Sequence, residues 1–301
     1  MRRISISLVA LLALGLAPLD GMALDLPDSV RHDTLSAESA TPLELGTIEA
    51  KLSLSYANVI PRRRGLMDNS WKWYRAEEVR NWDANLSYAY GFHEDAQFSF
   101  DLTYAGISDK HLPFGERSGE GLDDLDVSVK WRFRRAPEEG GFSLAYSPTL
   151  SIPVGTAAQP GRLKPSKKFF GFTNRLIASN DFTFLGGDFI LNADAGYMLP
   201  IGGGRRHYSR TFGRPVDNSR GILDGNVALA LQAWRVKPEI GFGYAREWVR
   251  GASASELFSG TAGASVSLSE RCRLTGGYRQ VITARNALRL GTFFGGVAIQ
   301  F

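Results

Sequence analysis

Residues 121–133 read GLDDLDVSVKWRF, and no other feature limits the fold of this chain so tightly. Side chains of a strand point alternately to opposite faces. Leu125, Val127, Val129, Trp131 and Phe133 therefore share one face, while Asp124, Asp126, Ser128, Lys130 and Arg132 share the other. A sheet of such strands separates two solvents. Surrounded by water, it would need a second protein layer over its apolar face. Surrounded by lipid, it need only close on itself around a wet interior.

Similar segments recur along the chain, twelve in all. Ile48, Leu52, Leu54 and Tyr56 oppose Glu49, Lys51, Ser53 and Ser55; Trp82, Leu86 and Tyr90 oppose Asp83, Asn85 and Ser87; Phe98, Phe100 and Leu102 oppose Gln97, Ser99 and Asp101. The sixth, around residues 170–178, is the least regular, and the last is TFFGGVAIQF, ending at Phe301. Connections after even-numbered segments are short: GFHED, RRAPEEGG, SNDF, RVK and LSER. Those after the first, third, fifth and seventh are long, at 58–80, 106–120, 155–167 and 200–221. An even strand count with short turns at one end and long loops at the other is the pattern of an outer-membrane barrel, with both termini in the periplasm. Aromatics gather at the short-turn end (Tyr90, Phe92, Trp131, Phe133, Trp234) and at the long-loop end (Tyr104, Tyr197, Tyr244, Trp248, Tyr278), as two interfacial girdles require. The expected fold class is all-β: a transmembrane antiparallel up-and-down β-barrel of about 12 strands, preceded by a cleavable signal peptide.

Composition enters at the ends of this argument. Arg2 and Arg3, an apolar run over 4–17 and Gly21-Met22-Ala23 form a secretory signal over 1–23, with Leu24 as first mature residue. Residues 24–45 are polar and read as a periplasmic N-terminal extension; 46–301 form the barrel. Formal net charge is +4 for the whole chain, falling to about +3 without the signal, which gives no basis for a nucleic-acid partner. The one cysteine, Cys272, excludes an internal disulfide.

Residues 121–155 also carry a resemblance. They resemble a family of outer-membrane proteins associated with the meta-pathway of phenol degradation, whose members show a Gly-x-Gly-Asp-Leu strand ending in Lys-Tyr-Arg, then a strand closing in Leu-Pro-x-Gly. Gly121, Asp124, Leu125, Lys130, Trp131, Arg132, Ile152, Pro153 and Gly155 fit this outline; Asp123 stands at a usual Gly, and Trp131 replaces the Tyr. The resemblance implies transport, of aromatic or other apolar small molecules, and transfers no catalytic or ligand residue. Phe301 is similar to the terminal aromatic signal read by the barrel-assembly machinery.

Chemistry along the chain points to a pathway rather than a reaction. Asp83, Asp101, Asp124, Asp126, Lys130, Arg132, Asp194 and Glu239 are the lumen-lining candidates, and charge rings of this kind tune which solutes pass. The loop over 61–75 combines Arg63 and Arg64 with Trp71 and Trp73, a set able to meet lipopolysaccharide phosphates or stack on a planar solute. Expected partners are outer-membrane lipid, lipopolysaccharide, the assembly machinery and a small-molecule solute. A less favoured reading is an enzyme, because outer-membrane phospholipase A is also a twelve-stranded barrel. His207, Ser209 and Asn218 match its residue types, but they fall within one long loop. The four histidines have no metal-ligand spacing, and no cofactor is expected. The alternative to a channel is a structural or surface-interaction barrel with a closed lumen.

Overall fold

The computed structural model describes residues 34–59, 78–111, 115–137, 141–155, 165–167, 169–202, 207–209, 211–212, 214–216, 218–233 and 235–301. In chain order the strands are β1 (Ile48–Val59), β2 (Glu78–His93), β3 (Ala96–His111), β4 (Gly115–Arg134), β5 (Phe142–Ile152), β6 (Phe170–Phe184) and β7 (Gly187–Ile201). A short hairpin of β8 (His207–Ser209) and β9 (Arg214–Val216) precedes β10 (Ser219–Gln232), β11 (Val236–Val249), β12 (Ser255–Ser267), β13 (Cys272–Arg285) and β14 (Leu290–Gln300). Among the described residues, β1–β7 and β10–β14 form one closed antiparallel ring, twelve strands with no free edge, and β8–β9 stands apart as its own ribbon. The seam joins the first strand to the last, from Glu49 opposite Gln300 to Val59 opposite Leu290. No helix among the described residues is long and apolar enough to cross a membrane; the strands make the crossing.

The faces fall as the alternation predicts. Leu54, Leu86, Phe242 and Phe293 stand exposed on the outside, at 58%, 50%, 49% and 65%, whereas Asn192, Asp194, Ser147 and Ser179 are buried inside. That inversion of an ordinary globular protein fits only an apolar surrounding phase. The shortest barrel strands, β5 and β14, have 11 residues each. At about 3.3 Å per residue and a tilt of about 40° they rise about 28 Å, enough for the apolar band. Aromatics flank it: Tyr90, Phe92, Trp131 and Phe133 are exposed at the short-turn end, and Trp82 and Tyr104, 5.8 Å apart, at the other. Trp234 lies outside the described residues.

Two local expectations are corrected, and one bulge is added to them. The turn after the sixth strand is not SNDF: β6 runs on through those residues to Phe184, and the chain reverses at Leu185–Gly186, both in the left-handed region (φ 51° and 78°). Such a pair forms the two-residue turn whose twist suits a hairpin. The stretch 106–120 is mostly strand, because β3 continues to His111 and β4 begins at Gly115. Within β4, the register shifts so that Leu102 faces Leu125 and Tyr104 faces Leu122. Asp123 and Asp124 together occupy the position opposite Thr103, and this bulge turns both buried carboxylates to the lumen.

Candidate channel lumen

The polar faces of the strands enclose a cavity of about 890 Å³. Asp83, Asp101, Asp124, Asp126 and Lys130 line it, as expected from the sequence. So do Lys51, Arg175, Asp224 and Arg279. Asp194 and Glu239 also point inward, but segment 34–43 covers them. Arg132 does not line the cavity. Its guanidinium is held at the periplasmic turn, where Nε donates to Asp95 Oδ1 at 2.8 Å. Arg63, Arg64, Trp71 and Trp73 lie outside the described residues. Phe301 is exposed and fixed by its backbone, which exchanges hydrogen bonds with Ile48.

The main surprise is residues 34–43, the described part of the N-terminal extension. They do not hang below the barrel; they cross its interior. Leu35 and Ser36 donate their backbone N–H groups to the Glu239 carboxylate at 2.6 and 2.9 Å, and the Ser36 hydroxyl adds a third bond. Glu38 N–H reaches Asp194 Oδ2 at 2.9 Å, Ala40 N–H reaches Ser179 Oγ at 2.8 Å, and Leu43 N–H reaches Gln97 Oε1 at 2.8 Å. Asn192 Nδ2 donates to Thr34 Oγ1 at 3.1 Å. Ala40, fully buried, packs on Ala145 and Ile177. These partners sit on β3, β5, β6, β7 and β11, so the segment forms a bar from wall to wall. Hydrogen bonds to charged groups contribute about 1.5–3 kcal/mol each, enough to order an extended peptide. The wall leaves room for it: a side chain at Gly91 would overlap the Glu44 carbonyl, and one at Gly241 would overlap Ser36.

Arg175, which the irregular sixth segment concealed, is the hub of this arrangement. Its guanidinium pairs with Asp194, with Asp224 at 2.5 Å and with Glu38 of the bar at 3.5 Å. Gly196 lies beneath, where a Cβ would come within 2.9 Å of the guanidinium. Paired charges of both signs make this wall of the lumen a partly buried ionic network, whose buried members, Asp194 above all, would be costly to leave without a partner.

Loops narrow the other end. Ser166 donates to Asp124 at 2.6 Å, bringing residues 165–167 onto the lumen wall. Phe212, fully buried next to the β8–β9 hairpin, packs on Ala245, Leu257, Val281 and Leu290 inside the mouth. Ser209 is buried and faces the cavity, Asn218 is a left-handed turn residue (φ 54°), and the His207 side chain lies outside the described residues. Ser209 therefore points into the lumen and not onto the outer wall. No grouping of His, Cys, Asp and Glu able to hold a metal ion occurs among the described residues.

No protein-family model matches the sequence, and no curated protein matches it. Solved structures do. An outer membrane channel from Pseudomonas putida F1 superposes with a TM-score of 0.67 at 11% identity, over 87% of this chain and 98% of the other. The beta domain of the Bordetella autotransporter BrkA gives 0.53 at 13% identity, over 86% and 100%. At these identities the likeness shows the fold. Together with the exposed apolar belt and the wet interior, it makes this chain a β-barrel of the bacterial outer membrane.

Proposed function

We propose that the protein is a passive outer-membrane channel for the uptake of small solutes, narrowed in this state by residues 34–43. The observation that carries this reading is an interior of about 890 Å³, walled by charged and hydroxyl side chains and crossed by a peptide bar held through reversible contacts. A barrel needing only to be rigid would fill its interior with packed side chains. Asp83, Asp101, Asp124, Asp126 and Lys130 are the pathway residues, and Asp194 and Glu239 are the moorings of the bar.

In this reading residues 1–23 direct export and are removed, and Phe301 presents the chain to the assembly machinery. The long loops, with Arg63, Arg64, Trp71 and Trp73, meet lipopolysaccharide. The resemblance over 121–155 supports kinship with the phenol meta-pathway proteins. That kinship suggests aromatic cargo, whereas the polar lining favours hydrophilic cargo.

The second reading, a barrel that stays closed, draws on the same bar and on the Phe212 anchor at the mouth. Planar-bilayer recording separates the two. The intact protein should give small current steps, and deletion of residues 34–43 should raise them severalfold. A silent bilayer with both proteins would leave the closed barrel standing.

A further inference from the structure

Residues 34–43 are held inside the barrel as a separate ligand would be. None of them belongs to a strand of the ring, so their removal breaks no ladder bond. The wall's own backbone groups are engaged in its ladders, and a peptide in the lumen must be held by side chains. The wall supplies these acceptors along the peptide. Glu239 on β11 takes the N–H groups of Leu35 and Ser36, and Asp194 on β7 takes that of Glu38. Ser179 on β6 takes the Ala40 N–H, and Gln97 on β3 takes that of Leu43. Glycines leave the notches that seat it: a Cβ at Gly91 would overlap the Leu43 and Glu44 carbonyls, and one at Gly241 would overlap Ser36.

These contacts recognise a peptide more than one sequence, because every residue except proline carries a backbone N–H. Ser36, Ala37, Ser39, Ala40 and Thr41 are all buried, so bulk at these positions would meet the wall. Glu38 differs. Its carboxylate lies 3.5 Å from Arg175 Nε, and its side chain is 46% exposed where it lines the cavity. Resting on the channel reading above, we propose that the bar fills a peptide-binding site and that the cargo is a short peptide with an acidic residue among small ones. Such a peptide displaces the bar and takes over its hydrogen bonds like for like. A tethered segment competes at an effective concentration on the order of millimolar. Free peptide must reach about that level in the intact protein, whereas removal of 34–43 leaves the site open.

The test uses the protein lacking residues 34–43 and the peptide TLSAESATPL of that segment, its ends blocked. In planar bilayers the added peptide should block the current saturably. N-methylation at the positions of Ser36, Glu38 and Ala40 removes three hydrogen bonds, two of them to carboxylates. It should raise the half-blocking concentration at least about tenfold. Glu239→Gln in the shortened protein should raise it about tenfold for the unmodified peptide. The N-methyl comparison leaves the wall unchanged, so it stands even if that variant does not assemble. Liposomes carrying the shortened protein should take up labelled peptide faster than its N-methylated form. Equal block by the two peptides, or no block at about ten times the tethered level, would overturn the peptide site and leave the channel intact. Block without uptake would overturn the peptide as cargo. A shortened protein that passes no current would overturn the channel itself.

Discussion

Asp95 sits in the turn between β2 and β3, where it receives Arg135 Nε at 2.7 Å and Arg132 Nε at 2.8 Å. The hydrogen bond from Arg135, with Arg132 adding to it and slight burial opposing, holds the Asp95 carboxyl below the usual carboxylate range. The folded state therefore favours the ionised form. Its contribution is present above the ordinary carboxylate pKa and is lost as pH falls through the lowered value. Because the cluster lies at a turn where Arg135 is 52% exposed, salt should weaken the effect. Unfolding in urea, followed by tryptophan fluorescence, should show a stability loss as pH falls below about 4. Asp95→Asn should flatten that loss, and an unchanged pH profile would show that the clamp contributes nothing. This charge cluster was visible in the sequence only as separate letters: Arg132 belongs to an alternating strand, and nothing in the alternation says that its partner waits in the neighbouring turn.

At the scale of elements, β1–β5 and β7 were legible because their outward residues are large and their inward ones polar, so period two stands out without help. The sixth strand hid for a physical reason. Its lumen face mixes Thr173, Arg175, Ile177 and Ser179, with Ile177 there to pack against Ala40 of the bar. Its turn also uses Leu185, where Asn, Asp or Gly would have announced a hairpin. Leu185 is 92% exposed at φ 51°, a conformation that costs an ordinary L-residue about 1–2 kcal/mol. Leu185→Asn should therefore stabilise the barrel, by about 0.5–1 kcal/mol on the usual scale of such replacements, measured as a higher urea midpoint; a lower midpoint would mean that the leucine makes contacts worth more than the strain. The bulge at Asp123–Asp124 and the bar at 34–43 were illegible for another reason. One is a skipped register. The other finds its partners, such as Glu239, 203 and 204 positions away in sequence, on wall strands whose own alternation it does not alter.

For the whole molecule, β4 has 20 residues and β3 has 16, far more than the crossing requires. Their paired tips therefore rise about 12 Å beyond the apolar band. Both chain ends of the ring lie at the opposite pole, beside the short turns. Ser118 is exposed near the tall rim, whereas the native Cys272 opens β13 at the other end. A membrane-impermeant maleimide should label Ser118→Cys on intact cells and leave Cys272 untouched until the outer membrane is opened. The reverse pattern would invert the orientation argued here.

The seam has a temporal meaning as well. Because the first and last ribbons of the ring are each other's neighbours, a growing chain carries two raw borders until its final residues are made. Losing the stretch that ends at Gln300 is then no local injury: it strips the closing partner from β1 and from β13 together. Truncation at the carboxyl end should be felt as failure to close at all, and the molecule has no smaller ring to fall back on.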